Sequence, residues 1–450
     1  MTVIDPFRPE TIHPDEHDLA RRLTQVVSER LTERRGDDDP TVVTEQRVHA
    51  DRIWGRKLIS EQLAGVARQQ IGNGRQPIPE YVEDRVANKV FDRIFGFGGF
   101  QPLLDDPEIE NIHANGCDVV WIVKADGSRH RVAPVADNDA ELVDLIRQFA
   151  ARSGRTERRF DAASPWLDLR LPDGSRLFAA MEVCGRVCVS IRRHRHTAPT
   201  LETLQQLGTI EDGLRSFLSA AVRARFNIVV AGGTNAGKTT MLRALINEID
   251  PLERLVVIED SLELNLTDNE DLHPNVVEYE VRHANVEGEG AITMRDLTRW
   301  GLRMAPDRVI VGEVRGGEVI EMLLAMSQGN DGSLCTIHAE SSAGAFNKIG
   351  LYALMAGERL APEATNQLVA NAVHFVVHLH QLANGTRVVS SIREVCGAEA
   401  LQVTSNEVFA PGNDGRARPS APLRTRTLDR LVAAGFHETV MHNPHGWWGP

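Results

Sequence analysis

The sequence predicts an α/β protein in which a helical extension and an α+β domain precede the main domain. Two textures carry this reading. Between residues 201 and 396, short apolar runs (Phe226–Ala231, Leu255–Ile258, Val309–Val311 and Leu334–Ile337) lack polar alternation, as strands buried on both faces do. They alternate with helical stretches at 211–223, 238–248, 293–304 and 316–327, the order of a parallel sheet with crossover helices. Between 96 and 195, β-type runs alternate instead with Asp-Gly pairs at 126–127 and 173–174, a strong hairpin signal that marks antiparallel pairing.

The elements follow in order. Residues 1–14 hold Pro and His without periodicity and are expected to form a mobile arm. From Asp15 to Arg35, Leu19, Leu23, Val26, Val27 and Leu31 recur at helical spacing. Gly36–Pro40 breaks that pattern, and amphipathic stretches resume over 44–71 and 79–94. Residues 1–95 therefore read as an arm and a helical appendage for docking or oligomerisation. The α+β domain takes 96–195, with strands Val119–Val123, Leu167–Leu171, Arg176–Met181 and Val187–Ile191 and a helix near 138–153. A basic linker, Arg192–Thr200, leads into the α/β domain over 196–400. Residues 401–450 lose periodicity and gain Pro, Gly and Asn, which predicts a poorly ordered tail with one short helix at 426–435.

Composition narrows the function classes. The 50 Lys and Arg against 63 Asp and Glu give a net charge of −13, the wrong sign for a protein whose main ligand is DNA. No direct nucleic-acid partner is expected. No window approaches the ~18 uninterrupted apolar residues of a membrane span, and the first thirty residues lack the apolar centre of a signal peptide. The five cysteines are odd in number and scattered, which fits a reducing compartment, so a cytoplasmic location is expected. Lysine occurs only at Lys57, Lys89, Lys124, Lys238 and Lys348, so a lysine inside a motif is hard to attribute to chance.

One lysine sits in such a motif. Gly232-Gly233-Thr234-Asn235-Ala236-Gly237-Lys238-Thr239-Thr240 satisfies G-x-x-x-x-G-K-[ST], with an apolar strand leading in and a helical stretch leading out. Glycines let backbone N–H groups wrap phosphates, and a helix N-terminus adds the positive end of its dipole. Lys238 is expected to reach the β- and γ-phosphates of a nucleotide, and Thr239 to bind Mg²⁺.

Three further strand ends carry polar groups. Leu255–Leu264 delivers Glu259 and Asp260, with Glu263 one turn on; Asp307–Gly316 delivers Glu313 and Arg315; Gly332–His338 delivers His338. The C-terminal edge of a parallel sheet is where α/β proteins bind ligands, so these groups converge on one γ-phosphate.

This set, written GGTNAGKTT, VVIEDSLEL, NVEGEGAITMRDL, LRMAPDRVIVGEVRGGE and GNDGSLCTIHAES, resembles the type II/type IV secretion ATPase superfamily, in particular its CpaF-type branch that serves Tad/Flp pili. The family's names for the four boxes are Walker A, Asp box, Walker B and His box. Upstream, FGFGGFQPLLDDPEIENIHANG, LPDGSRLFAAMEV and SIRR are similar to its N-terminal domain, so the resemblance spans roughly residues 95–396. It implies a RecA-like P-loop ATPase domain preceded by an α+β, PAS-like domain, with ATP between the lobes. It also implies a homohexamer using ATP and Mg²⁺, peripheral at the cytoplasmic face of the inner membrane, where a platform protein of a pilus or secretion system is its partner. By position, Gly232 through Thr240 resemble the nucleotide contacts, Glu259 and Glu313 the two catalytic acids, and His338 the γ-phosphate sensor. Arg170, Arg176, Arg192, Arg193, Arg303 and Arg315 match arginines of the family pattern that meet ATP. The expected function is a motor for pilus assembly or protein secretion. The alternatives are a conjugation or type IV secretion ATPase and a nucleotide-gated scaffold with negligible turnover.

Departures are few. Asn235 and Ala236 stand where the family usually has Gly and Ser, and Asn is the non-glycine residue that best tolerates positive φ. Lys348 stands where an arginine is typical and lacks its bidentate fork. The paired Cys-x-x-Cys motifs of the zinc-binding branch are missing, and no zinc site is expected at Cys184 and Cys188.

Overall fold

A computed structural model describes residues 14–35, 45–152, 159–193, 199–282, 284, 288–358, 360–399 and 402–442. The expected arm, the 36–40 break and most of the basic linker lie outside the described residues. The chain divides into two units, Met1–Arg195 and His196–Pro450.

The first unit opens with three helices, α1 (Pro14–Arg35), α2 (Glu45–Gly72) and α3 (Glu80–Phe95). Their apolar stripes meet in a small core of Leu19, Leu23, Val27, Leu58, Ile59, Leu63, Val82, Val86 and Val90. After the short helix α4 (Gln101–Asp105) come β1 (Ile109–Asn115), β2 (Val120–Lys124) and β3 (Arg129–Val132), then α5 (Asp139–Arg152). Strands β4 (Trp166–Arg170), β5 (Arg176–Ala180) and β6 (Cys188–Arg192) complete a six-stranded antiparallel sheet in the order β3-β2-β1-β6-β5-β4. One sheet face packs Ile112, Ile122, Leu177 and Ile191 against Leu142, Ile146 and Phe149 of α5. The other face exposes Trp121, Trp166 and Phe178.

In the second unit, α6 (Leu201–Gln206) and α7 (Asp212–Arg223) lead into β7 (Ile228–Gly232) and α8 (Lys238–Ile246). Then follow β8 (Leu255–Glu259), β9 (Val276–Glu280), α9 (Met294–Gly301), β10 (Arg308–Val314), α10 (Val319–Ser327) and β11 (Leu334–His338). Helices α11 (Gly344–Met355) and α12 (Pro362–Ala372) precede β12 (Phe375–Gln381), which pairs parallel with β7. Successive strand residues point to opposite faces. Ile228, Val230, Val257 and Ile310 therefore pack under α7 and α8, while Val229, Val256, Val309 and Cys335 pack under α9 to α12.

The sheet does not stop where the sequence periodicity does. β13 (Arg387–Glu399), β14 (Gln402–Pro411) and β15 (Ala417–Pro419) add antiparallel to β12, for a nine-stranded order β15-β14-β13-β12-β7-β11-β10-β8-β9. Helix α13 (Thr425–Ala433) follows, and Phe409, Leu431 and Phe436 join the core around Phe217. The tail expected to be poorly ordered is therefore, over 402–442, largely a sheet extension, while the short helix expected at 426–435 is present as α13 and packs on the core. The reason is local: β14 is half-covered along most of its length, so its polar residues imitate a loop.

Candidate active site

Parallel pairing brings the C-terminal ends of β7, β8, β10 and β11 to one edge. Gly232 lies opposite His338, and β10 runs between β8 and β11. Gly232 has no room for a side chain, since a Cβ would meet the Leu379 carbonyl at 2.8 Å. Two loop residues are left-handed, Asn235 at φ +61° and Gly237 at φ +93°, and α8 starts directly after them. The first N–H groups of a helix have no intrahelical partner, so this end offers donors to an anion.

Lys238 is buried, and its Nζ donates to the Gly233 carbonyl at 2.9 Å and lies 3.1 Å from His338 Nδ1. The same Nζ lies 3.4 Å from His338 Nε2, so the ammonium faces both ring nitrogens. Burial, and then the Lys238 charge, hold the imidazole pKa below its ordinary value, with Glu313 opposing. His338 Nε2 lies 2.7 Å from Glu313 Oε1. That contact is close but poorly aligned, and among the described residues no donor reaches the buried Glu313 Oε1. The other carboxylate oxygen, Oε2, accepts from Arg315 at 2.7 Å, and Arg315 also reaches Asp260 at 2.9 Å. Arg315 thus ties two of the strand ends together.

Glu259 behaves differently. It is 3% exposed and turned inward, accepting N–H groups of Glu263 and Leu264 at 3.2 Å. Burial pushes its carboxyl up to about 8, against those two N–H groups. Gly312 makes room for it, since a Cβ there would lie 2.7 Å from Glu259 Cγ. The turn that Glu259 anchors carries Glu263, whose Oε2 accepts from Thr239 Oγ1 at 3.4 Å.

The arginines separate. Arg303 lies in the turn before β10, next to Met304, whose carbonyl accepts from Arg254 just ahead of β8. That is the N-terminal edge of the sheet, one seven-residue strand or roughly 20 Å from the site edge. Arg303 therefore does not reach the site of its own chain, contrary to the motif expectation. In the first unit, Arg170, Arg176 and Arg192 form one cross-strand row over β4, β5 and β6, with Arg176 paired to Asp168 at 2.6 Å. Arg193 is set apart, because its guanidinium donates to the carbonyls of Asp106 and Ile109. Lys348 lies over the Tyr352 ring at 5.3 Å, and its charge also lowers the His338 pKa.

Sequence reasoning missed Arg387. It opens β13, yet its Nε donates 2.8 Å to the Asn235 carbonyl in the phosphate loop. The available signal was Asn384-Gly385, a hairpin dipeptide; here Gly385 at φ +85° closes a three-residue loop that folds β13 back along β12 and so onto the phosphate loop.

A family model described as type II/IV secretion system protein matches residues 96–419. The chain belongs to this family. Its match runs past the motif-based limit near 396 and takes in β13 to β15. Among relatives, a putative conjugal transfer protein of Mycobacterium tuberculosis is 33% identical over 312 residues, covering 68% of this chain and 86% of the relative. The type IV secretion system protein VirB11 of Brucella suis is 31% identical over 308 residues, covering 62% and 83%. The solved VirB11 ATPase of Brucella suis, in complex with sulphate, is 29% identical and spans 69% of this chain and 96% of its own, at a TM-score of 0.36. The named relatives are conjugal-transfer and type IV secretion proteins, and none of them is described as a Tad/Flp protein.

Proposed function

We propose that this chain is an ATP-hydrolysing motor of a type II/IV secretion-class machine. The observation that carries the reading is the meeting of Lys238, His338 and Glu313 beside the phosphate loop, with one buried Glu313 oxygen lacking a donor among the described residues. Phosphoryl transfer to water needs little covalent chemistry; it needs charge neutralisation and a positioned nucleophile. Two of the Lys238 partners, a carbonyl and a neutral imidazole, are weaker acceptors than a phosphate oxygen, so the ammonium transfers readily to a triphosphate. The donor set fits Mg²⁺: the Thr239 hydroxyl and the Glu263 carboxylate would hold it, and there it would supply charge neutralisation at the β- and γ-oxygens. Glu313 Oε1 takes the proton of the attacking water. His338, beside Lys238 and Glu313, is placed to contact the γ-phosphate or its product. Glu259 acts by position, holding the turn that brings Glu263 to Thr239. For the arginine row of the first unit and for Arg315, a role as nucleotide contacts rests on the resemblance alone.

The resemblance supports a homohexamer, and closed rings suit sites that borrow groups from a neighbour. It also supports attachment to an inner-membrane platform protein; among the described residues no helix is long and apolar enough to cross a membrane. The relatives weigh toward a conjugation-type export machine, and the pilus reading rests on the motifs alone. Lys238→Ala decides the catalytic reading. ATP turnover should vanish in a chain that still folds, as checked by phosphate release and circular dichroism. Turnover near the wild-type rate in that variant would refute the phosphate-loop assignment. Tight nucleotide binding by the wild-type protein without turnover would favour the scaffold.

A further inference from the structure

The hairpin between β12 and β13 turns through Gly385 at φ +85°, with the Leu382 N–H donating to the Thr386 carbonyl at 2.8 Å. Leu379 of β12 stands opposite Gly232 at the start of the phosphate loop, and Gln381 stands opposite Arg387. The loop and the hairpin are thus held side by side by sheet register, across 152 residues of sequence. Arg387 uses this placement twice. Its Nε donates to the Asn235 carbonyl, and its Cδ lies 3.3 Å from where a Gly237 Cβ would be. It therefore bonds to one left-handed residue of the loop and lines the space beside the other. A non-glycine residue at positive φ is strained and persists only where its surroundings hold it. In a trans peptide the N–H points opposite to the C=O, so fixing the Asn235 carbonyl outward keeps the Ala236 N–H turned into the loop.

We infer that Arg387 is a positioning residue for nucleotide binding, a clamp that holds the phosphate loop in its phosphate-ready shape. The inference rests on the ATP reading of the site. The same strand also grips the segment after the His box: Ser391 donates to Ser342 Oγ at 2.6 Å and Arg393 Nε donates to it at 3.0 Å. Strand β13 therefore braces both sides of the phosphate-binding edge, and Arg387 is its contact with the loop.

A clamp and a direct phosphate contact predict different couplings to residue 235. In the full-length chain, Arg387→Ala should weaken binding of a fluorescent non-hydrolysable ATP analogue with Mg²⁺ by about tenfold, the scale of one charge-assisted hydrogen bond. The KM for ATP should rise in step while kcat stays within about twofold, as for an interaction made before the transition state. On an Asn235→Ala background, where the left-handed conformation is harder to hold, the Arg387→Ala loss should grow. On an Asn235→Gly background it should shrink, because glycine adopts that conformation freely. Arg387→Gln, which keeps a polar side chain, guards against misfolding, and faster amide hydrogen exchange at residues 235–237 gives a second readout. No loss of affinity, or an equal loss on all three backgrounds, overturns the clamp. If the wild-type chain and Lys238→Ala bind the analogue equally poorly, the ATP reading itself fails and Arg387 falls with it.

Discussion

Glu313→Gln separates chemistry from structure, and its two effects can be sized from the contacts. In the fold, Glu313 holds Arg315 at 2.7 Å, but the Arg315 side chain is 49% exposed, so solvent screens the pair and its worth is below about 1 kcal/mol. Its other contact is with an imidazole that burial and Lys238 keep neutral, and that contact is poorly aligned, so little is lost there. The folding cost is then about 1 kcal/mol, a midpoint shift of about 2–4 °C for a unit of this size. Glutamine cannot take a proton from water. Removing a positioned base costs about 10²–10⁴ in rate, or about 3–5 kcal/mol of barrier. The substitution also removes a negative charge near an anionic ligand, so nucleotide affinity should hold or improve. Phosphate-release kinetics, analogue binding and a thermal melt on one preparation read all three quantities. Turnover within tenfold of wild type, or a tenfold loss of affinity, would show that Glu313 is a structural or binding residue.

Two further predictions concern groups whose roles the fold redistributes. The Glu259 carboxyl titrates near 8 when folded, against an ordinary 4.5, so between those values the folded chain holds a proton that the unfolded chain has released. Stability must then fall as pH rises through that window; Glu259→Gln should show a smaller drop in melting temperature from pH 6.5 to 8 than wild type. Glu211, also raised to about 8 by burial, contributes equally to both proteins and cancels, so parallel curves would discard the Glu259 argument. In the first unit, Arg193→Ala should destabilise by about 1–3 kcal/mol through the lost carbonyl contacts. Exposed Arg192→Ala should leave the melt unchanged and lower turnover by more than tenfold; a reversal of the two phenotypes would exchange their assignments.

What the sequence discloses about the site is what lies close along the chain. The phosphate loop needs only its own nine residues, and Glu259, Glu313 and His338 each end an apolar run that identifies itself as a buried strand. Converging them requires only the rule that parallel strands share a C-terminal edge. The same rule, applied to Arg303 ahead of its strand, would have sent it to the far edge; motif matching by position ignored that direction. Glu259 shows a second limit, because no local pattern tells a carboxylate facing a ligand from one folded under a turn. Arg193 and Arg387 show a third. Their partners are backbone carbonyls distant in sequence, and a carbonyl has no letter in the sequence to pair with.

The antiparallel strands beyond β12 bear on where this chain can be cut. A strand at the rim of a sheet offers unpaired N–H and C=O groups to any other chain, and long flat rims invite aggregation. On this side of the sheet, opposite the β9 edge, the rim is β15, three residues long and ending in Pro419, which has no N–H to offer. Inside it, β14 covers β13 from Ile392 to Glu399. A fragment ended at residue 400, where the periodicity fades, would leave the thirteen-residue β13 as the rim and strip Phe409, Leu431 and Phe436 from around Phe217. Residues 402–442 thus serve as the selvedge of the sheet, keeping a large sticky border from becoming the surface that neighbouring molecules meet.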